Sequence, residues 1–386
     1  MKFSPITILI ATMVLSPVLA VEESQHLEGA LDRVLANDFL RENAPPSNWR
    51  PAVNQYGKLA KEMADGSIVL LKNKDNLLPL SRKSTEIHVV GPASSAVAIH
   101  QQSNSEDDQP FQVNIAVVGV DAAGSGRSNK GGIARLPQDQ IGTIRNLKKT
   151  SPSPLIVVIM GGRPISLPEI YDMADAIIYA WQRDDQCSTT LAEVLFGDVN
   201  PSGRLPFAVP YFSRDLPSFM DNYMKGLSTN QSVRRTPQFP FGFGLSYDEF
   251  EYTSVSLSSK QIYGDESLDV TVRVKNKGKH GGNEVVQLYL QLPGVGGKFP
   301  LRRLVGFRRI HIPAGEFKDV QFTVTPDQLL QSRKNGNPEV IPGAYVVTAG
   351  GSSPVQRSFD LGMPKSRSKS FAVEKARIQN LQANGN

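Results

Sequence analysis

The sequence predicts two folded domains: an α/β domain with a mostly parallel sheet, followed by an all-β sandwich. Three observations predict this. Short, wholly apolar runs alternate with helical patterns as far as residue 212. From residue 246 the apolar period becomes two, as in a half-buried strand. Between them Pro, Gly and Phe crowd a stretch with neither period. The 386 residues, 40% of them hydrophobic, suffice for two cores.

The first twenty residues carry one charge, Lys2, then an apolar stretch from Ile6 to Leu15 and the small-residue ending Val18-Leu19-Ala20. This pattern predicts a signal peptide over residues 1–20 and hence a secreted, extracellular protein. Its core falls short of the roughly 20 residues a bilayer needs, and no other segment approaches that length, so no membrane span is expected. Residues 21–45 form an N-terminal segment without a strong pattern.

The α/β domain is expected over residues 46–212. From Arg50 to Gly66 the apolar positions Val53, Tyr56, Ala60 and Met63 recur at helical spacing and predict a helix with a buried stripe. "SIVLLKN", "EIHVVGP", "NIAVVGV", "PLIVVIM" and "DAIIYAW" read as short strands. "QDQIGTIRNLKK" and "TTLAEVLFG" read as helices, and "SLPEI" as a short turn. Strands apolar on both faces and alternating with helices predict a sheet covered on two sides. From Phe207 to Phe243 prolines mark extended chain, read as a surface linker over 213–245. It contains the sequon Asn230-Gln231-Ser232, which makes Asn230 a glycosylation candidate in a secreted chain.

Over residues 246–362 the pattern is that of a sandwich. Val270, Val272 and Val274 alternate with Thr271, Arg273 and Lys275, and Val320, Phe322 and Val324 repeat the alternation. Residues 363–386 are polar and basic and read as a frayed tail or loose helix.

Charge and composition narrow the function. The net charge of +5 resides in that tail and at Lys2, so residues 21–361 balance to zero and no nucleic-acid partner is expected. One cysteine, Cys187, and five scattered histidines give neither a disulfide nor a zinc spacing, so no metal or other cofactor is expected. The loop "GVDAAGSGRSNKGGIARLP", residues 119–137, invites a phosphate reading. Gly124 and Gly126 begin a dinucleotide fingerprint, but Asn129 stands where its third glycine belongs, and Lys130 is followed by Gly131 instead of Ser or Thr. No G-x-S-x-G elbow occurs.

Longer stretches carry a resemblance. "GSIVLLKNKDNLLPLS", "LAEVLFGDVNPSGRLPFAVP", "FPFGFGLSYDEFEY", "GGRPISLPEI" and "LRRLVGFRRIHIPAGE" together resemble the C-terminal part of glycoside hydrolase family 3, the β-glucosidases and β-xylosidases, over residues 46 to 362. The resemblance implies an α/β sandwich domain, shortened after "IHVVGPASS", and then a fibronectin type III-like domain. It also implies hydrolysis of O-glycosyl bonds by two carboxyl groups about 5 Å apart in a retaining enzyme. In this family the nucleophile is an aspartate on an N-terminal barrel, and the acid/base is commonly a glutamate from the α/β domain. A barrel needs around 250 residues, far more than precede the first family-like helix here, so barrel and nucleophile are expected to be missing.

The family loop after the strand carries two glutamates. Aligned without a gap from Asp121 to Pro137, those positions hold Ser125 and Arg127, and a later Asp-Arg becomes Lys130-Gly131. Neither serine nor guanidinium gives up a proton to a leaving glycoside oxygen near neutral pH. Asp121 persists, more as a support for the loop than as a donor. A second family loop, after "YAW", reads Gln182-Arg183-Asp184-Asp185-Gln186-Cys187-Ser188, where Asp184 and Asp185 are weak acid candidates. The intact "LFGDVNPSGRLP" reads as packing and turn chemistry: Gly197 ends a helix, and Pro201 and Gly203 shape the turn.

The expectation is therefore a chain inactive on its own, with a β-linked carbohydrate and a barrel-bearing protein as its prospective partners. The alternatives are a non-catalytic carbohydrate- or partner-binding module and a truncated gene product. An α/β domain without its barrel should also expose apolar surface and aggregate or require a partner.

Overall fold

The computed structural model describes residues 53–82, 85–92, 111–120, 134–181, 185–211, 237–293, 302–332 and 338–377. The expected signal peptide, the segment 21–45 and the sequon Asn230 lie outside the described residues, and so does most of the 213–245 linker.

The first domain opens with helix α1 (Val53–Ser67) and strand β1 (Val69–Asn73). There follow β2 (Thr85–Val90), β3 (Phe111–Gly119), β4 (Ala134–Arg135), α2 (Gln138–Thr150) and β5 (Leu155–Met160). Next come β6 (Ile165–Ser166), α3 (Pro168–Met173), β7 (Ala176–Ala180) and α4 (Asp185–Phe196). The main sheet runs β1-β7-β5-β3-β2, parallel throughout except for β1, which lies antiparallel to β7.

Alternate residues of each strand supply the two covers. Val157, Ile159 and Ile177 pack against Ile141 and Ile144 of α2 and Ile170 of α3. Ile156, Val158 and Ile178 pack against Leu191, Val194 and Leu195 of α4. This explains the unbroken apolar runs, because both faces of these strands are covered. Lys72 finishes α3: its ammonium donates to the carbonyls of Tyr171 and Ala174, both at 2.7 Å, where the helix has no partners of its own.

The expected stripe on α1 is only partly realised. Ala60 is half-buried, but Met63 is 57% exposed and Leu59 49%. The contacts with α4 are polar instead: Lys61 bonds Glu193 at 2.6 Å, and Asp65 accepts from the Thr190 hydroxyl at 2.8 Å.

The second domain is a sandwich. One sheet, β13-β10-β8, comprises β8 (Phe250–Leu257), β10 (Leu268–Asn276) and β13 (Phe317–Val324). The other, β12-β11-β16-β17-β9, comprises β9 (Gln261–Tyr263), β11 (Gly282–Gln291), β12 (Arg302–Ile312), β16 (Gly343–Gly350) and β17 (Arg367–Glu374). Short β14 (Leu330–Ser332) and β15 (Pro338–Val340) pair with each other, and helices α5 (Pro326–Leu329) and α6 (Gln356–Asp360) are brief. Val270, Val272 and Val274 are wholly buried in the shared core, as their alternation requires.

Two expectations are corrected. The described end of the supposed surface linker, residues 237–245, is core: Phe239 and Phe243 are wholly buried, Phe239 bridges to Val209, and Leu245 bridges to Leu70. The prolines there bend the chain against the sheet, so a proline-rich stretch became a wall. The supposed tail contains β17, which pairs with both β16 and β9 and buries Phe371 and Val373. Its lysines and arginines are exposed, Arg367 and Lys369 in the first half of the strand and the others outside it.

The domains are joined by a polar seam and a return of the chain. Met363, in the stretch between β16 and β17, is buried in the α/β core with Phe243 and Leu205. Ser353 donates its N–H to the Phe241 carbonyl at 3.0 Å, and Arg357 reaches the Gln238 carbonyl at 3.2 Å.

Candidate functional site

Because β2, β3, β5 and β7 are parallel, their carboxyl ends share one edge of the sheet, where α/β proteins form ligand sites. Two glycines set that edge. A Cβ on Gly119 would lie 2.0 Å from the Met160 carbonyl oxygen, and one on Gly91, at φ +112°, would lie 2.2 Å from that of Val117. Only glycine lets these strand ends approach so closely.

The buried Gln140 of α2 holds the end of β3 with both ends of its amide. Its Oε1 accepts from the Gly119 N–H at 2.9 Å, and its Nε2 donates to the Gly119 carbonyl at 3.0 Å. The next residue, Val120, donates to the Met160 carbonyl at 3.2 Å. The loop that starts at Asp121 therefore leaves a fixed point beside the end of β5.

The end of β7 is fixed by aromatic packing. Tyr179 lies 4.9 Å from Trp181 between ring centroids, and Trp181 lies 5.7 Å from Phe207. The Trp181 indole donates to the Ser67 carbonyl at 2.8 Å, and the Tyr179 hydroxyl donates to the Arg163 carbonyl. Burial pushes the Tyr179 phenol far above its ordinary range, against the pull of Arg163, so it stays a neutral donor.

Asp121, Ser125, Arg127 and Asp184 lie outside the described residues. Asp185 opens α4, and its side chain is not among those described. In the chain, Asp121 follows the end of β3, and Asp184 and Asp185 follow β7; those two strand ends share this edge, with β5 between them. Neighbouring strands are about 4.8 Å apart, so the ends of β3 and β7 lie about 10 Å apart. Among the described residues, no group of three or more His, Cys, Asp or Glu side chains is placed to hold a metal ion. No described helix is long and apolar enough to cross a membrane.

Sequence reasoning read the strands β3 and β7 but missed what holds their carboxyl ends. Gln140 sits inside an ordinary-looking helix, and nothing local marks it as buried. The Tyr179–Trp181 pair lay within a recognised strand, where an i, i+2 aromatic pair on one face was the available signal.

"LFGDVNPSGRLP" does the structural work expected of it. Gly197 ends α4 at φ +84°, and a Cβ on Gly203 would meet the Ser67 carbonyl oxygen at 2.3 Å. The motif also builds the seam between domains. Asn200 donates to Asp248 at 2.9 Å and accepts from Ser246 and Tyr247, while Arg204 pairs with Glu284.

Comparison with known proteins agrees with this architecture. Residues 98–247 match the glycosyl hydrolase family 3 C-terminal domain, and residues 284–353 match the fibronectin type III-like domain. The first match runs through the buried 237–245 segment. The periplasmic beta-glucosidase of Salmonella typhimurium is 29% identical over 79% of this chain and 50% of its own length. A beta-xylosidase of Formosa agariphila is 29% identical over 78% of this chain and 49% of its own. The chain thus spans about half the length of the curated relatives it matches. In solved structures the same fold occurs in the beta-glucosidase from Listeria innocua in complex with isofagomine, with TM-score 0.71 and 23% identity over 89% of this chain and 54% of that one.

Proposed function

Because this chain belongs to glycosyl hydrolase family 3, with the family's C-terminal α/β domain ahead of a fibronectin type III-like domain, we propose that it is exported and serves the cleavage of β-glucosides or β-xylosides without performing it alone. One observation carries the reading. In the sequence that follows β3, whose end Gln140 holds, Ser125 and Arg127 stand where the family resemblance calls for glutamates. A general acid needs an ionisable proton near the working pH, and neither side chain offers one. The substrate class follows the names of the relatives, a beta-glucosidase and a beta-xylosidase, and export follows the periplasmic relative together with the apolar leader.

The test is an assay of the purified chain with an aryl β-glucoside and an aryl β-xyloside. Release of the aryl group at the buffer rate is the expected result. Turnover abolished by Asp121→Asn would overturn the proposal.

A second reading, a non-catalytic module that docks a barrel-bearing protein or a carbohydrate, is favoured by the exposed Leu59 and Met63 on α1. Restored glycosidase activity on mixing with a separately produced family barrel would support it.

A further inference from the structure

A cleft of about 390 Å³ lies between the two domains, within the roughly 300–1,000 Å³ range of small-molecule sites. Its walls come from α1, from the turn after α4, from the start of β11 and from β12. Its described lining residues lie on other elements than the ends of β3, β5 and β7.

Several lining groups are already held in place by other partners. Asp198 pairs with Arg82, and both polar atoms of the Asn200 amide are engaged at the domain seam. Arg309 points two of its nitrogens at the Ser202 hydroxyl, at 3.0 and 3.3 Å. The side chains of three others, Glu62, Asn283 and His311, make no hydrogen bond or ion pair among the described residues, and they line the same space. The floor is open because it is glycine. A Cβ on Gly281 would lie 2.9 Å from His311 Nε2, and one on Gly282 would lie 2.7 Å from an Asp248 oxygen.

This lining selects a ligand class by elimination. No aromatic or aliphatic platform is present for an apolar ligand beyond Val199. A polyanion would face Glu62, Asp65 and Asp198, and a polycation would face Arg309. Asp65 and Asp198 are already paired with Lys61 and Arg82, and of the remaining charges Glu62 and Arg309 cancel, which suits a neutral guest. The Glu62 carboxylate on the α/β wall accepts, the Asn283 amide on the sandwich wall both donates and accepts, and hydroxyl groups can answer either. We propose that the cleft is a binding site for a neutral saccharide, held between the α/β domain and the sandwich and separate from the carboxyl-edge loops. The inference rests on the lining and is independent of whether the chain is catalytic.

The site supplies hydrogen bonds without stacking, so it binds weakly, with a Kd of about 1–10 mM. Saturation-transfer NMR on the 386-residue chain with methyl β-glucopyranoside and methyl β-xylopyranoside reads it directly. Two variants locate the signal: Gly281→Val fills the floor, and Asn283→Ala removes an amide without adding bulk. Saturable binding that weakens roughly tenfold in Gly281→Val and measurably in Asn283→Ala, with unchanged circular dichroism in the latter, is the expected result. Absence of saturable binding overturns the inference. So does binding unaffected by both variants, since the sugar then sits elsewhere, or tighter binding of glucuronate or lysine than of the neutral glycosides. Aryl-glycoside turnover by the wild-type chain reports separately on the catalytic reading and leaves this result untouched.

Discussion

Arg204 donates a 2.6 Å hydrogen bond to Glu284 across the domain boundary, with the two side chains only 7% and 1% exposed. The second oxygen of Glu284 accepts from the buried Tyr252 hydroxyl at 2.7 Å, and Arg204 also reaches the Gly351 carbonyl at 3.1 Å. Burial, and then the Glu284 charge, hold the Tyr252 phenol well above its ordinary range, so it remains a donor. Removing one partner strands a buried charge. Arg204→Met or Glu284→Ala should each cost about 3–5 kcal/mol, and the double variant less than their sum. Urea unfolding of the three variants measures the coupling.

Gly197 should resist substitution. At φ +84°, with a Cβ position 2.8 Å from Pro79 Cβ, alanine there would be strained by backbone and by contact together. A loss of about 1–3 kcal/mol is expected for Gly197→Ala. Gly57, with no heavy atom within 4 Å of its Cβ position and in mid-helix, should gain by the same change, by about 0.5–1 kcal/mol. Opposite shifts in thermal midpoint would bear this out.

Gln140→Leu should loosen the carboxyl edge. It leaves the Gly119 N–H and carbonyl unpaired in a buried place, at about 1–3 kcal/mol each. Faster amide exchange at Gly119 and Val120 than in the wild type, with little change in the sandwich, is the expected signature.

Stability should also fall in acid through Asp175. Burial raises this carboxyl, but the Leu155 N–H at 2.9 Å and Lys148 at 3.0 Å outweigh it, and the group stays below its ordinary range. A carboxylate depressed on folding stabilises the protein above its unfolded value, and the gain is lost as pH drops through the folded one. Unfolding free energy should therefore decline below about pH 4, and Asp175→Asn should flatten that decline.

Leu59, Met63, Phe307 and Phe317 are large apolar side chains 49–63% exposed. The chain should bind a hydrophobic dye and self-associate at high concentration, and Leu59→Lys with Met63→Glu should reduce both. Light scattering and dye fluorescence on the same samples decide it.

The sequence made the sheet strands and the α/β-then-sandwich order readable, because each core residue follows a local period. Val270, Val272 and Val274 announce their own face, as do the two-sided runs ending at Met160 and Ala180. Burial that depends on distant partners left a weaker trace. Phe371 and Val373 alternate as strand residues should, but five basic residues around them suggested solvent. Phe239 and Phe243 sit among prolines that usually mark exposed chain. At the carboxyl edge, the ends of β3 and β7 were readable from their apolar runs. The Gln140 clamp was not, since its partner is the backbone of a residue 21 positions away.

Met363 has a practical corollary. A polypeptide that enters the sandwich at β8 and comes back to fill a gap beside Phe243 cannot be dissected with a single cut. A fragment ending near residue 246 lacks a plug for its own interior, and one starting there carries an orphaned methionine. The two halves are clasped, and expression as separate pieces should yield insoluble material from one or both.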